Sequence, residues 1–224
     1  MMTRKYFNVP LFLWLGFFFS IPFFLYFSEV DLFVSHLFYK DNSFFLNDTL
    51  LEKFFHSSIR PIIILSLLIP LGITIYNYRT NRTLWGMTKR KLLYIFLVLA
   101  LAPGLIVNLF LKESCERPRP KQIIEFGSKK EFYPAFTLTN QGKDSFSSGH
   151  VAAAFSLVGL AMLTQRRRGL WIAIATTYGI GMMIARVAAG GHFLSDVVTS
   201  FFIVTIVNLI LYKYFIEDKQ SELL

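Results

Sequence analysis

The sequence predicts an all-α, polytopic membrane protein, a bundle of six transmembrane helices that forms one domain over residues 1–224. Two observations lead to this prediction: long apolar blocks without charged side chains, and basic residues clustered in alternate connections between those blocks. The chain is 54% hydrophobic and holds 25 phenylalanines in 224 residues. Ordinary soluble domains are about 45–50% apolar, so the composition favours a membrane protein.

Six blocks lack Asp, Glu, Lys and Arg: residues 6–28, 61–78, 92–111, 145–165, 169–185 and 197–212. A helix needs about 20 residues to cross the hydrocarbon core of a bilayer. The first four blocks reach this length, and the last two reach it with their flanking residues. One such block is also typical of a buried soluble helix, but six leave too little polar surface for a soluble fold. A cleaved signal peptide is the alternative for the first block, whose apolar stretch is longer than a usual signal core.

The net charge of +9 follows the predicted topology. Basic residues cluster before the first helix (Arg4, Lys5), between the second and third (Arg79, Arg82, Lys89, Arg90, Lys91), between the fourth and fifth (Arg166, Arg167, Arg168) and after the sixth (Lys213, Lys219). The positive-inside rule makes these segments cytoplasmic, together with both termini. The charge therefore indicates orientation in a membrane and not binding of nucleic acid.

The opposite, periplasmic face receives residues 29–60, 112–144 and the turn at Gly190-Gly191. Residues 30–39 and 46–55 are predicted to form short amphipathic helices, with their aromatic side chains in the lipid interface or packed over the bundle. Pro103-Gly104 is predicted to kink the third helix. A stiff loop at residues 117–120 should follow, and residues 121–144 should form an outer cap.

Polar residues that suit phosphate chemistry gather at the outer ends of the apolar blocks. Such residues are rare in membrane segments and usually mark functional sites. The clusters are Lys112 with Arg119, the run Ser147-Ser148-Gly149-His150, and Arg186 with His192 and Asp196. Because all three open on the same predicted face, we expect them to form one site.

The run that ends in His150 predicts the start of the fourth helix, since serine and glycine precede an apolar stretch. The free N–H groups of such a start bind anions. Capping of the helix by Ser147 or Ser148 alone is the simpler alternative. His150, however, faces the same anion and can donate a proton to a departing oxygen.

His192 and Asp196 are four residues apart and share a face if they lie on a helix. A carboxylate there can hold Nδ1–H and leave Nε2 basic, which suits attack on phosphorus. Lys112 and Arg119 can neutralise phosphate oxygens, and such charge stabilisation is a major part of phosphoryl-transfer catalysis. For single clusters, the alternatives are a structural His–Asp pair and contact of Lys112 with lipid headgroups.

Taken in order, the three clusters resemble the three-part signature of the type-2 phosphatidic-acid phosphatase superfamily. The matching patterns are Lys112–x6–Arg119-Pro120, Ser148-Gly149-His150 and Arg186–x5–His192–x3–Asp196. The resemblance covers residues 112–196, and the hydropathy extends it to the whole chain. Ser147 stands where the family usually has proline, and Ala185 where it usually has serine. Neither change removes a chemically essential group.

The resemblance implies a lipid phosphatase, a hydrolase of phosphoric monoesters. It implies that His192 attacks phosphorus to form a phosphohistidine, that Asp196 orients His192, and that His150 protonates the leaving alcohol and then activates water. The residues implied to hold the phosphate oxygens are Lys112, Arg119, Ser148, Gly149 and Arg186. The sequence has no carboxylate cluster suited to magnesium, so we expect catalysis without a metal or other cofactor.

The segments around Asn108, Lys112 and residues 190–196 are similar to those of bacterial lipid A phosphatases, the 4′-phosphatases in particular. This similarity implies a Gram-negative inner membrane and removal of the 4′- or 1-phosphate of lipid A. Undecaprenyl pyrophosphate, phosphatidic acid and phosphatidylglycerophosphate are the alternative substrates. The expected partners are the lipid substrate and membrane lipids, without nucleic acid or an obligate protein partner. Basic loop residues either contact a polyanionic headgroup or form a solvated face: Arg117, Lys121, Lys129, Lys130 and Lys143.

Two other classes of protein share parts of this pattern. A lipid-binding protein or scramblase on the same fold would be expected to have lost His150, His192 or Asp196, and all three are present. A vanadate-dependent haloperoxidase shares the phosphate-pocket motif, but its soluble architecture conflicts with six membrane spans. The single cysteine, Cys115, excludes a disulfide within the chain.

Overall fold

The computed structural model describes residues 5–7, 9–141 and 145–217, and these residues are predominantly helical. The chain starts with a hairpin of β1 (Lys5–Tyr6) and β2 (Val9–Pro10), followed by α1 (Leu11–Tyr26), α2 (Glu29–His36), a hairpin of β3 (Tyr39–Lys40) and β4 (Ser43–Phe44), and α3 (Leu50–Thr80). It continues with α4 (Lys89–Ala100), a π-helix (Leu101–Leu111), α5 (Lys112–Cys115), α6 (Gly149–Ala161), α7 (Arg168–Ala188) and α8 (Leu194–Tyr212). Short 3-10 helices cover Leu84–Gly86, Pro120–Gln122 and Ile124–Phe126, and a π-turn covers Lys213–Glu217.

Helix α6 lies at the centre of the fold, where it packs against α7, α8 and the π-helix. Its inner side is made of small and aromatic residues that join one apolar core with α7 and α8. Gly179 of α7 lets Phe155 of α6 approach, because a Cβ at Gly179 would lie 2.9 Å from the Phe155 ring. Small residues permit such close helix contacts where lipid supplies no hydrophobic drive for association. The start of α6 is thereby held between its neighbours.

Within the part of the chain that the structure describes, four helical segments are long and apolar enough to cross a membrane: Leu50–Thr80, Lys89–Gln122, Arg168–Ala188 and Leu194–Glu217. Helices α1 and α2 pass the same test only as a pair, and they meet at an angle of 86°. Helix α6 has 13 residues, about 20 Å of helix, which is shorter than the hydrocarbon core of about 30 Å. A helical protein with four or five membrane-length helices agrees with the predicted class, and the count of six stays a prediction.

The helix predicted for residues 46–55 is wrong as a separate element. Residues from Leu50 onward belong to α3, whose first turn is capped by the Thr49 hydroxyl accepting from the Glu52 N–H at 3.3 Å. No breaker separates this cap from Pro61, so the helix starts well before the apolar block at residue 61. The other predicted short helix corresponds to α2, which ends at His36 before Tyr39 begins β3.

The third predicted helix changes form where Pro103-Gly104 was expected to kink it. The α-helical hydrogen bonding ends at Ala100, and Leu101–Leu111 is a π-helix. The Asn108 side chain donates to the Pro103 carbonyl at 2.6 Å, an acceptor made available by the altered helix. The π-helix leads directly into Lys112.

The predicted cap between α5 and α6 contacts the turn between α7 and α8 and the end of α2. The Lys121 N–H donates to the Gly190 carbonyl at 3.2 Å, and Glu125 pairs with His36 of α2 at 2.8 Å. Residues 142–144, with Lys143 and Asp144, lie outside the described residues, as do Arg4 and Lys219 of the predicted charge pattern.

Candidate active site

A cavity of about 530 Å³ lies between α3, the π-helix and α6. Five predicted site residues line it: Lys112, Arg119, Gly149, His150 and His192. Arg60 adds a further cation, and most of the remaining lining is apolar. The structure thus brings together residues from all three sequence clusters around one open pocket.

The start of α6 presents unsatisfied polar groups. Ser148 is its N-cap residue and makes no side-chain capping bond. The hydroxyls of Ser147 and Ser148 are buried and have no partner among the described residues. Simple helix capping therefore does not account for these serines, whose hydroxyls remain available to an anion at the helix N-terminus.

Gly149 is held tightly against the π-helix. A Cβ at this position would clash with the Asn108 side chain. The close approach places the backbone of the first turn of α6 beside the cavity wall that carries Lys112. A methyl group here would therefore force the Asn108 side chain, which donates to the Pro103 carbonyl, to move.

Arg186 lies near the end of α7 and is held by α3. Its Nη1 donates to Glu52 Oε1 and to His56 Nδ1, both at 3.0 Å. Its Nε is buried without a partner among the described residues. The ring of His56 lies against that of His150, with centroids 4.4 Å apart. Arg186 therefore contacts His56, which in turn packs against His150 in the cavity wall.

His192 lies just before α8 and is 2% exposed. Burial is the main cause that lowers the pKa of the His192 imidazole from 6.5 to about 4, with Arg186 lowering it further and Asp196 opposing the shift. A lowered pKa keeps the imidazole neutral at physiological pH. A neutral ring is the form that attacks phosphorus.

His192 and Asp196 are close, as the spacing predicted. Nδ1 of His192 lies 3.5 Å from Oδ2 of Asp196. The two atoms are near enough for electrostatic attraction, but Nδ1 makes no hydrogen bond within the described residues. Oδ2 instead accepts from the Ser145 hydroxyl and from the Phe193 N–H. That Asp196 orients the ring during catalysis stays a prediction.

Arg117 does not lie on a solvated loop face and is not available to a headgroup. It is 1% exposed, and its Nη1 and Nη2 pair with Asp196 at 2.7 Å and with Asp31 of α2 at 2.9 Å. Its Nε donates to the Tyr133 carbonyl at 2.8 Å, and the guanidinium lies 4.2 Å from the centre of the Phe193 ring. The arginine is buried because two carboxylates and an aromatic face replace its water. By contrast, Lys121 and Lys129 are exposed.

Sequence reasoning missed four residues that structure the site: Asp31, Glu52, His56 and Arg60. Three of them share the spacing i, i+4, i+8 on α3, which places them on one helix face. This polar stripe was visible in the sequence, but its approach to Arg186 depends on the packing of α3 against α7. No local pattern links Asp31 to Arg117, 86 residues later.

Comparison with known proteins identifies the relatives of this chain. Three lipid A 4′-phosphatases are similar: that of Francisella tularensis subsp. novicida is 31% identical over 136 residues, 59% of this chain and 61% of the relative. Those of Rhizobium etli and Rhizobium leguminosarum are 34% and 35% identical over 111 and 105 residues, which is 48% and 45% of this chain and 43% and 44% of the relatives. The chain thus spans at most about three fifths of these relatives. No solved structure gives a significant match.

The family model of the PAP2 superfamily matches residues 91–220. This range starts with α4 and includes the π-helix, the cap and α6 to α8, and it therefore contains every residue of the three sequence clusters. Since the match covers more than half of the chain, the protein belongs to the PAP2 superfamily.

Proposed function

We propose that this protein is a membrane-bound lipid phosphatase that removes a phosphate monoester through a phosphohistidine intermediate. The observation that carries the proposal is the cavity in which His150 and His192 lie together with Lys112, Arg119 and the start of α6. Two histidines among several cations suit the attack, binding and release of one phosphate group.

In the first step, Nε2 of His192 attacks phosphorus and the bond from phosphorus to the lipid oxygen breaks. The low pKa of His192 supplies the neutral imidazole that this step requires. Asp196 stabilises the positive charge that grows on the ring. His150 gives its proton to the departing lipid oxygen, so that the lipid leaves as an alcohol.

In the second step, His150 accepts a proton from water, and the resulting hydroxide attacks the phosphohistidine. The P–N bond breaks, and inorganic phosphate and neutral His192 are released. Throughout both steps, the phosphate oxygens are held by Lys112, Arg119, Arg186, the Ser148 hydroxyl and the Gly149 N–H. These groups neutralise charge that increases in the transition state. No metal ion is assigned a role, so EDTA should leave the activity unchanged.

We propose lipid A as the substrate, with the 4′-phosphate as the first position to test. The similarity to three lipid A 4′-phosphatases supports this choice. The apolar part of the cavity wall offers a place for an acyl chain next to the phosphate site. A second cavity of about 570 Å³, lined mostly by apolar residues, lies farther along α3, α4 and α6. Apolar space along the same helices suits a substrate with long tails.

We further propose six transmembrane helices, with the short helix α2 at the outer surface, both termini in the cytoplasm and the site facing the periplasm of a Gram-negative inner membrane. The pattern of basic residues in alternate connections supports this orientation. Helix α6 would then be a short span whose N-terminus lies within the outer part of the membrane.

Phosphate release by purified protein tests the function. The panel contains lipid A that carries only the 4′-phosphate, lipid A that carries only the 1-phosphate, phosphatidic acid, phosphatidylglycerophosphate and undecaprenyl pyrophosphate. We expect the fastest release from the 4′-phosphate, and release from 1-phosphate lipid A that is slower by at least tenfold. Faster release from a glycerophospholipid or the pyrophosphate would show that this lipid, and not lipid A, is the preferred substrate.

The variants H192A and H150A test the mechanism in the same assay. Loss of His192 should abolish release, because no nucleophile remains, and protein quenched in alkaline detergent, in which a P–N bond survives, should carry no phosphohistidine. Loss of His150 should slow release strongly for lipid alcohols, which are poor leaving groups. Full activity in either variant would show that the assigned mechanism is wrong.

A further inference from the structure

The first turns of α3 hold Arg186 from one side only. Nη1 has two N–H groups, and its two acceptors, Glu52 Oε1 and His56 Nδ1, are both 3.0 Å away. The Nε–H of Arg186 is buried and has no partner among the described residues. Among the described residues, the side-chain hydrogen bonds of this guanidinium are made by Nη1, which leaves the Nε–Nη2 edge for another acceptor.

This edge can bind a phosphate with two parallel N–H···O bonds. A guanidinium is planar, and its Nε–H and the neighbouring Nη2–H point in the same direction. Gly191 lies against this side of the guanidinium, since a Cβ there would be 2.5 Å from Nη2. Because the guanidinium is planar and Nη1 is held, the Nε–Nη2 edge has a fixed direction.

The contact also determines the protonation of His56. Because a guanidinium only donates hydrogen bonds, Nδ1 of His56 must accept, and the ring proton is on Nε2. His56 is therefore neutral while it binds Arg186. Its ring lies against His150 with centroids 4.4 Å apart, so one residue contacts both the phosphate-binding arginine and the proposed acid.

Glu52 supplies the charge in this arrangement. Its side chain is 16% exposed and that of Arg186 is 5% exposed, so the pair is only partly screened by water. Arg186 lies near other cations of the site, and Arg119 is close enough to act on it electrostatically. A carboxylate on Nη1 keeps Arg186 in place against this repulsion.

We infer that Glu52 and His56 are positioning residues that aim the Nε–Nη2 edge of Arg186 at the phosphate. Neither residue belongs to the three clusters of the sequence signature, and both come from a helix that precedes the range of the family match. The inference rests on the phosphatase function proposed above, because it gives Arg186 a phosphate to bind.

Two matched pairs of variants test this role. H56N keeps an oxygen acceptor where Nδ1 lies but removes the ring, whereas H56F keeps the ring against His150 and removes the acceptor. E52Q keeps the acceptor without the charge, and E52L removes both at similar volume. The measurements are kcat, KM and the inhibition constant of orthovanadate, an anion that occupies phosphate sites independently of the lipid.

We expect H56F and E52L to lose at least tenfold in kcat/KM and in vanadate affinity, the size of a hydrogen bond to a charged group. H56N should remain within about threefold of the original protein, and E52Q should lie between it and E52L. If H56F matches the original protein, or if H56N loses as much as H56F, the positioning role is wrong.

Calorimetric binding of vanadate to the same variants separates this inference from the proposed function. If the original protein hydrolyses no lipid in the panel, the proposed function fails. The vanadate affinities of H56N and H56F can still be compared in that case, and they still test the positioning role. If the original protein is active and both pairs of variants bind vanadate equally well, only the positioning role fails. Thermal melting in detergent confirms that each compared variant is folded.

Discussion

Replacing Asp196 with asparagine tests whether a carboxylate beside the nucleophile stabilises the reaction. Asp196 is fully buried, and its Oδ2 lies 3.5 Å from Nδ1 of His192. Attack on phosphorus puts positive charge on the ring at this distance. D196N removes the opposing charge but keeps an oxygen that can accept from Arg117.

The size of the effect follows from the distance. Two unit charges 3.5 Å apart interact by about 5 kcal/mol at an effective dielectric constant of about 20. Each 1.36 kcal/mol is about tenfold in rate, so the full interaction corresponds to between about 10³- and 10⁴-fold. Arg117 shares the same carboxylate at 2.7 Å and offsets part of its field. We therefore expect kcat to fall by about 10²–10³-fold.

The assay is phosphate release at saturating lipid, with S145A as the matched control. Ser145 donates to the same Oδ2, so S145A removes one hydrogen bond and leaves the charge, and its kcat should fall less than about tenfold. Thermal melting in detergent establishes that D196N is folded at the assay temperature. A folded D196N protein with kcat within tenfold of the original would refute the stabilising role of Asp196.

Three further predictions concern stability, space and pH. R117M leaves two buried carboxylates without a cation, so it should destabilise the fold by about 3–5 kcal/mol, and an unchanged melting temperature would contradict this. G149A should lower kcat/KM more than tenfold because its methyl group meets Asn108, and the double variant G149A/N108A should recover part of the loss. An NMR titration should find His192 protonated only below about pH 4, so this residue stays neutral and competent above that pH; a pKa near 6.5 would contradict the buried site.

The residues of the three clusters were predictable because each cluster is local in the sequence. Ser148, Gly149 and His150 are consecutive, and His192 lies one helical turn before Asp196, so short-range geometry brings each set together. The clusters were expected to meet because each occurs at the end of an apolar segment, on the same predicted face of the membrane. Helix ends on one face of a membrane lie at similar depth, so residues at these ends are more easily brought together.

The contribution of α3 could not be predicted in this way. The charge of Arg60 marked the edge of an apolar block, so the residues before it were assigned to the outer surface. Thr49 instead caps the helix, and the added turns carry Glu52 and His56 to Arg186. The Thr49 cap is a local signal that the helix extends beyond its apolar block. The contact of His56 with Arg186, 130 residues later, has no such local signal.

The difference between Arg117 and Arg119 shows a second limit. The two arginines flank one proline and carry the same charge, so only the resemblance to the family signature assigned Arg119, and not Arg117, to the phosphate. The structure separates them because Asp31 of α2 and Asp196 of α8 enclose Arg117, while Arg119 lines the cavity. Burial of a guanidinium requires carboxylates from distant segments, and their approach is a property of the tertiary fold.

The buried network around Arg117 gives His192 two electrostatically different sides. On the Nδ1 side, the Asp196 carboxylate lies 3.5 Å from Nδ1, and Arg117 links this carboxylate to Asp31. On the other side, His192 lines a cavity with Lys112, Arg119 and Arg60, which attract the phosphate anion. The negative side favours a proton on Nδ1 and leaves the lone pair on Nε2, next to the bound anion. Under the proposed mechanism, Asp196 and the buried network that holds it therefore help to select Nε2 as the attacking nitrogen of His192.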